Sequence, residues 1–308
     1  MGTHVVIGAG PVGTEVARQL AQAGEFVILV TRRGSGPDLP GITRVACDAS
    51  VPGKLRQVVP RAEVLYNCAN PEYHRWPQDW PPLASAFLDF AEQTGAVLAT
   101  CSNLYGYGPV NGPIIESLPL AATGIKSRVR AQMWLDAKER HDSGRIRATE
   151  VRGSDYICPA EQSLIGSARV VPRILAGRKV SVVGSADAEH SWTSPADAAR
   201  LLVAVAAHER GWGSAWHVPS NPPRTQRQVV DDLADAAGVE RVPVASLSPG
   251  MMRIAGAFSP AIRELAETAY QRDRPFIVDD TAARTAFGIE PTPWQEILDS
   301  VIAHYRSD

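Results

Sequence analysis

THVVIGAGPVGTEVARQLAQAGEFVILVTRRG, residues 3–34, decides the fold. Its opening run, HVVIGAG (4–10), is apolar without alternation and reads as a strand covered on both faces. PVGTEVARQLAQAG (11–24) has helical spacing, with Pro11 in the first turn and Gly24 just past the last. FVILVTR (26–32) is a second strand, so the stretch is one parallel βαβ unit. The pattern continues downstream. Apolar runs recur at ITRVAC (42–47), EVLYNCA (63–69) and AVLATCS (96–102), and PPLASAFLDFAEQTG (81–95) is a helix ending at a glycine. After about residue 160 the elements become shorter and mixed. KVSVVG (179–184) and SAWHVP (214–219) read as strands, and 195–209, 225–237, 260–271 and 293–306 as helices. The expectation is a doubly wound, Rossmann-like α/β half over about 1–165 and a smaller mixed α/β half over 166–308.

Within the first unit, Gly8-Ala9-Gly10-Pro11-Val12-Gly13 fits GxGxxG between a strand and a helix, which is the setting that motif requires. The first glycine permits the tight turn, the second lets a pyrophosphate approach the backbone, and the third lets helix and strand pack closely. Free N–H groups and the positive dipole end of the helix complete an anion site. A dinucleotide phosphate is therefore expected on Gly8, Gly10, Pro11, Val12 and Gly13. Strand two ends in Thr31 where an NAD-binding chain commonly carries an acid, and Arg32 and Arg33 follow. Two guanidinium groups suit a 2′-phosphate, so the sequence favours NADP over NAD.

Composition narrows the partners. Lys plus Arg is 31 and Asp plus Glu is 33 in 308 residues, a net charge of −2, so no global basic field awaits nucleic acid or an anionic membrane. A small-molecule substrate is the expected partner. Cys47, Cys68, Cys101 and Cys158 form no CxxC pair, which points away from a metal site or a disulfide framework and toward reduced cytosol. The stretch LLVAVAA (201–207) is far short of the roughly 20 residues that span a bilayer. Thr3 and His4 lead straight into the first strand with no charged n-region, so secretion is not expected. PEYHRWPQDWPP (71–82) reads as a proline-rich loop at the carboxyl edge of the sheet, its Tyr73, Trp76 and Trp80 either packing the loop down or meeting substrate.

The chain resembles the extended short-chain dehydrogenase/reductase superfamily, the NAD(P)-dependent epimerase and dehydratase group, along nearly its whole length. Asp48 in CDAS is similar to the aspartate that contacts adenine after strand three. NCAN (67–70), with Ala69, sits where strand four meets the cofactor, and CSNLYG (101–106) is similar to the segment after strand five. VRGSDYICP (151–159), WTSPADAARLL (192–202) and the closing FGIEPTPWQEILDSVIAHYR resemble the later segments of that group. The resemblance implies interleaved segments and an enzyme, and it allows a homodimer, since the family often dimerises through helices beside strands four and five; with the cysteine usage, the expected location is cytoplasmic. It also exposes a departure. The family signature YxxxK falls on Ala122-Thr123-Gly124-Ile125-Lys126, which keeps Lys126 and has alanine for the tyrosine; a methyl group transfers no proton. The usual Ser/Thr position falls on Cys101, with Ser102 one residue on and turned to the other strand face.

Candidates for acid–base work are then Lys126, Cys101, Ser102 and Tyr105, with Tyr107 and Thr123 nearby, and the resemblance implies that Lys126 also holds the nicotinamide ribose. Three readings follow. One is an NADP-dependent reductase of a small carbonyl, imine or sugar-like compound. A second is a nucleotide-sugar epimerase or dehydratase that retains its cofactor. The third is an NADP-sensing regulator without turnover. His190, His217, Glu116 and Glu161 carry no assigned role.

Overall fold

The computed structural model describes residues 2–161, 163–247 and 265–307. Strands β1 (Thr3–Ile7), β2 (Phe26–Thr31), β3 (Ile42–Ala46), β4 (Val64–Asn67), β5 (Val97–Asn103) and β6 (Arg147–Gly153) alternate with α1 (Pro11–Gln22), α2 (Lys54–Val58), α3 (Trp76–Thr94) and α4 (Ile125–Asp142). Short strands β7 (Asp155–Tyr156), β8 (Val180–Val182), β9 (Glu189–His190) and β10 (Trp192–Thr193) follow, then β11 (Ala215–His217), β12 (Arg224–Thr225) and β13 (Val244–Ser246). The seven-stranded sheet runs β3-β2-β1-β4-β5-β6-β11, parallel throughout. This is the Rossmann-like doubly wound arrangement that the opening unit predicts.

Unbroken apolarity of the strands has its cause in the two layers that cover them. On one face α1 and α6 (Pro195–Ala207) bury Val16, Leu20, Ala198 and Leu202 against Val6, Leu29 and Val97. On the other, α3 and α4 bury Phe87, Leu88 and Ala137 against Val5, Leu65 and Leu98. Each fully buried aliphatic side chain contributes about 1.5–3 kcal/mol. A separate core joins α5 (Val171–Leu175), α7 (Gln226–Ala237) and the helix Trp294–Arg306 around Ile174, Val230 and Leu298. Segments of the second half return to the main sheet: β11 pairs with β6, and α6 packs on α1.

Several elements differ from expectation, and β6, α5 and the helix Thr281–Phe287 have no counterpart in it. The proline-rich stretch is not a loop up to residue 82, because α3 starts at Trp76 and runs through Pro81 and Pro82. Those prolines remove two backbone donors; burial of Trp76 and Trp80 beneath the helix offsets the loss. The five-residue α2 has no strong sequence signal. Of the helix expected at 260–271, residues 260–264 lie outside the described set, and the remainder is a 3-10 turn (Leu265–Thr268) leading into the short helix Tyr270–Asp273. No helix among the described residues is long and apolar enough to cross a membrane.

Candidate active site

The glycine motif turns out to hold three different requirements. Gly8 has φ +100°, a left-handed conformation, and a Cβ there would stand 2.6 Å from the Cys68 carbonyl oxygen. A Cβ on Gly13 would overlap the Gly8 carbonyl oxygen. Both are therefore demanded by the fold itself. Gly10 is not: its φ is −75° and nothing lies within 4 Å of where its Cβ would be. It is the N-cap of α1, with no side-chain cap and no acidic residue in the first turn, so the helix leaves its first N–H groups open. By contrast α6 is capped by Ser194, and α7 by a Thr225–Gln228 capping box. Pro11 has no N–H to offer, and the Val12 side chain is buried in the core, so what the motif presents at this corner is backbone and open space.

This corner lies where the strand order reverses, β1 standing between β2 and β4, which is where open α/β sheets form a ligand crevice. Ala69 is the other wall: its Cα is 3.1 Å from the position of a Cβ on Gly8, and its N–H bonds Asn67 Oδ1 at 3.3 Å. Asp48 lies past β3. Its carboxylate accepts from Ser50 Oγ at 2.6 Å and Ser50 N–H at 3.1 Å, bonds that hold its pKa below the usual range. Arg32 and Arg33 are exposed in the turn after β2, where Ser35 N–H bonds Thr31 Oγ1 at 2.7 Å. Neither arginine pairs with an acid among the described residues. The residues present thus suit a dinucleotide along this edge.

At the far end, strand alternation separates two neighbours. Cys101 faces the core under α6, its Sγ 3.4 Å from Tyr156 Oη, and burial pushes its thiol pKa up. Ser102 points to the opposite face and lines a small cavity with Arg130, Glu150 and Arg152. Lys126, on the first turn of α4, is 4% exposed; its Nζ sits 4.7 Å above the Tyr73 ring and 3.7 Å from Glu267 Oε2. Glu267 was not legible as a site residue. Its Oε1 accepts the N–H groups of Lys126 (3.0 Å) and Ser127 (3.1 Å) and the Ser127 hydroxyl, capping α4 from 140 residues away. A Cβ on Gly124 would overlap that carboxylate. Ala122 precedes the helix, its N–H bonded to Gly106 O at 3.1 Å, and Thr123 is exposed.

Tyr105 packs against Trp76 and Tyr73, and burial holds its phenol well above the ordinary range. Tyr107 is structural. It accepts from Arg152 Nη1 at 2.6 Å and donates to His217 Nε2 at 2.9 Å, because His217 Nδ1 is committed to the Asp279 carbonyl at 2.8 Å. Burial keeps that imidazole neutral, its pKa lowered to about 4. Glu116 accepts the His217 N–H. Trp76 and Trp80 are buried and clasp the Arg130 guanidinium, with ring centres 5.2 and 4.7 Å away, which is packing beneath the site. His190 meets Asp155 Oδ2 at 3.0 Å and stacks on Phe276.

A glycine-rich turn at the point where the strand order reverses agrees with the match between residues 4–218 and the model of the NAD-dependent epimerase/dehydratase family. The chain belongs to that family. Its architecture is shared with solved family structures at low identity. A dTDP-glucose 4,6-dehydratase from Bacillus anthracis in complex with NAD superposes with a TM-score of 0.79 at 18% identity, over 100% of this chain and 97% of that one. The UDP-glucose 4-epimerase of Thermotoga maritima, solved with UDP-glucose, gives 0.79 at 16%, covering 99% of each chain. An epimerase from Methanothermobacter thermautotrophicus gives 0.83 at 16%, over 99% and 92%. No curated protein matches the chain.

Proposed function

We propose that this chain is an NADP-dependent oxidoreductase acting on a small carbonyl, imine or sugar-like substrate. The observation that carries the reading is Gly10: its two motif partners are required by packing, whereas it borders only open space at an uncapped helix end. The α1 N–H groups would receive the pyrophosphate, Asp48 the adenosine, and Lys126 the nicotinamide ribose. Arg32 and Arg33, exposed beyond Thr31, support a 2′-phosphate and so NADP ahead of NAD. The bound cofactor supplies hydride exchange, and the chain supplies orientation and exclusion of water. A homodimer through α3 and α4 belongs to the same reading; Ile125 and Leu135 of α4 are 58% and 50% exposed, and sedimentation measures the assembly.

The test is a titration with NADPH, NADP and NADH read by energy transfer from the seven tryptophans. NADPH binding at least tenfold tighter than NADH supports the reading, and no nicotinamide binding overturns it. A nucleotide-sugar epimerase or dehydratase is the second reading, favoured by the family match; cofactor that stays with the protein through gel filtration would select it. NADPH-dependent partner binding without turnover would instead select a sensor.

A further inference from the structure

Reducing a C=O or C=N bond takes a proton as well as a hydride, so a transferable proton must stand beside the acceptor atom. The hydroxyls near the carboxyl ends of β5 and β6 are not equivalent. Ser102 is on the opposite sheet face, Tyr107 is locked between Arg152 and His217, and Tyr105 is wedged among Tyr73 and Trp76. Tyr156 differs from all three. It is partly exposed, as Tyr105 is, but its Oη has a defined partner in Cys101 Sγ at 3.4 Å, and it packs beside Cys68 and Cys101 on the α6 side. The last residue of β6 makes room for it: a Cβ on Gly153 would stand 2.9 Å from Tyr156 Oη. The ends of β5 and β6 thus hold the Tyr156 phenol in a defined place.

We propose that Tyr156 is the proton donor of the reduction. The proposal rests on the NAD(P) reading above. In the step, a hydride from reduced nicotinamide bonds to the acceptor carbon and the C=O or C=N π pair moves onto the heteroatom. The Tyr156 O–H breaks, its proton forms the new O–H or N–H, and the tyrosinate takes a proton back from water. The substrate gains two electrons and the nicotinamide loses two. Burial holds the phenol above its ordinary range, so the proton is in place at neutral pH.

Absorbance of tyrosinate at 295 nm tests this without a known substrate. The positive ring of oxidised nicotinamide next to Tyr156 should bring one phenol's ionisation down by about one pH unit or more. Saturating NADP or NAD should therefore add one tyrosinate at lower pH in the unaltered protein and in Tyr105→Phe, and none in Tyr156→Phe. Cofactor affinity in Tyr156→Phe, read by tryptophan energy transfer, should stay within about threefold. With phenanthrenequinone as carbonyl probe, Tyr156→Phe should lose about a hundredfold in kcat. A shift that is absent, that survives in Tyr156→Phe, or that disappears in Tyr105→Phe overturns the donor assignment alone. Failure of either cofactor to bind the unaltered protein overturns the NAD(P) reading, and the donor assignment with it.

Discussion

The two ends of the crevice are built by opposite means. At the β1–α1 corner the site is backbone: a turn, an uncapped helix end and an absent side chain, all within residues 8–13. At the β5–α4 end it is side chains, with Tyr73, Tyr105, Lys126, Tyr156 and Glu267 arriving from separate segments. A backbone cradle tolerates little change in shape, and a side-chain cluster is open to exchange of one chemistry for another. The same fold can therefore keep its β1–α1 corner while the side chains at the β5–α4 end vary.

The sharpest way to break this comparison is within the glycine motif itself. Gly13→Val should clash with the Gly8 carbonyl and cost about 3 kcal/mol or more in denaturant unfolding. Gly10→Ala should leave unfolding within about 0.5 kcal/mol and yet weaken cofactor binding at least tenfold, since only the ligand's space is filled. Equal effects of the two changes on stability would show that Gly10 too serves the fold.

Acid should act at the other end. His217 is fully buried with its pKa lowered to about 4, below the unfolded value of 6.5. The unfolded chain then binds the proton more readily, so this residue's contribution to stability is full above pH 6.5. It is lost as pH falls toward 4, by at most about 1.4 kcal/mol per pH unit and about 3 kcal/mol in all. His217→Gln should flatten that part of the curve, as followed by urea unfolding between pH 4 and 7; an unchanged slope would place the proton uptake elsewhere.

Charge reversal at Arg32 together with Arg33 should weaken NADPH about a hundredfold, near 3 kcal/mol, and move NADH by less than about threefold. Equal losses would remove the 2′-phosphate assignment. Smallest is the effect of Glu267→Gln: α4 loses an anionic cap and Lys126 its carboxylate partner, costing about 1 kcal/mol in denaturant unfolding. No loss of stability would mean that the α4 end does not depend on that carboxylate.

Much of the fold was legible because its signals are local. Apolar runs without alternation marked β1, β2 and β5, Pro11 and Gly24 placed the ends of α1, and the helices read at 195–209 and 225–237 match α6 and α7 within a few positions. The start of α3 was not legible: the sequence reads a helix only from residue 81, and its extension back to Trp76 goes with the burial of Trp76 and Trp80. At the site, the alternation of Cys101 and Ser102 follows from strand geometry alone. Glu267 and the Tyr156–Cys101 contact do not, because nothing in the spacing of residues 101, 156 and 267 says that they meet.

The sequence by itself determined the parallel sheet and the glycine-rich turn after β1, because strand periodicity and glycine sterics act over a few residues. Only the tertiary structure decided which of the motif's glycines the fold itself requires, which phenol stands at the end of β5 and β6, and which carboxylate closes the start of α4. Those outcomes depend on side chains that are dozens to more than a hundred residues apart, and on the space each leaves for the next.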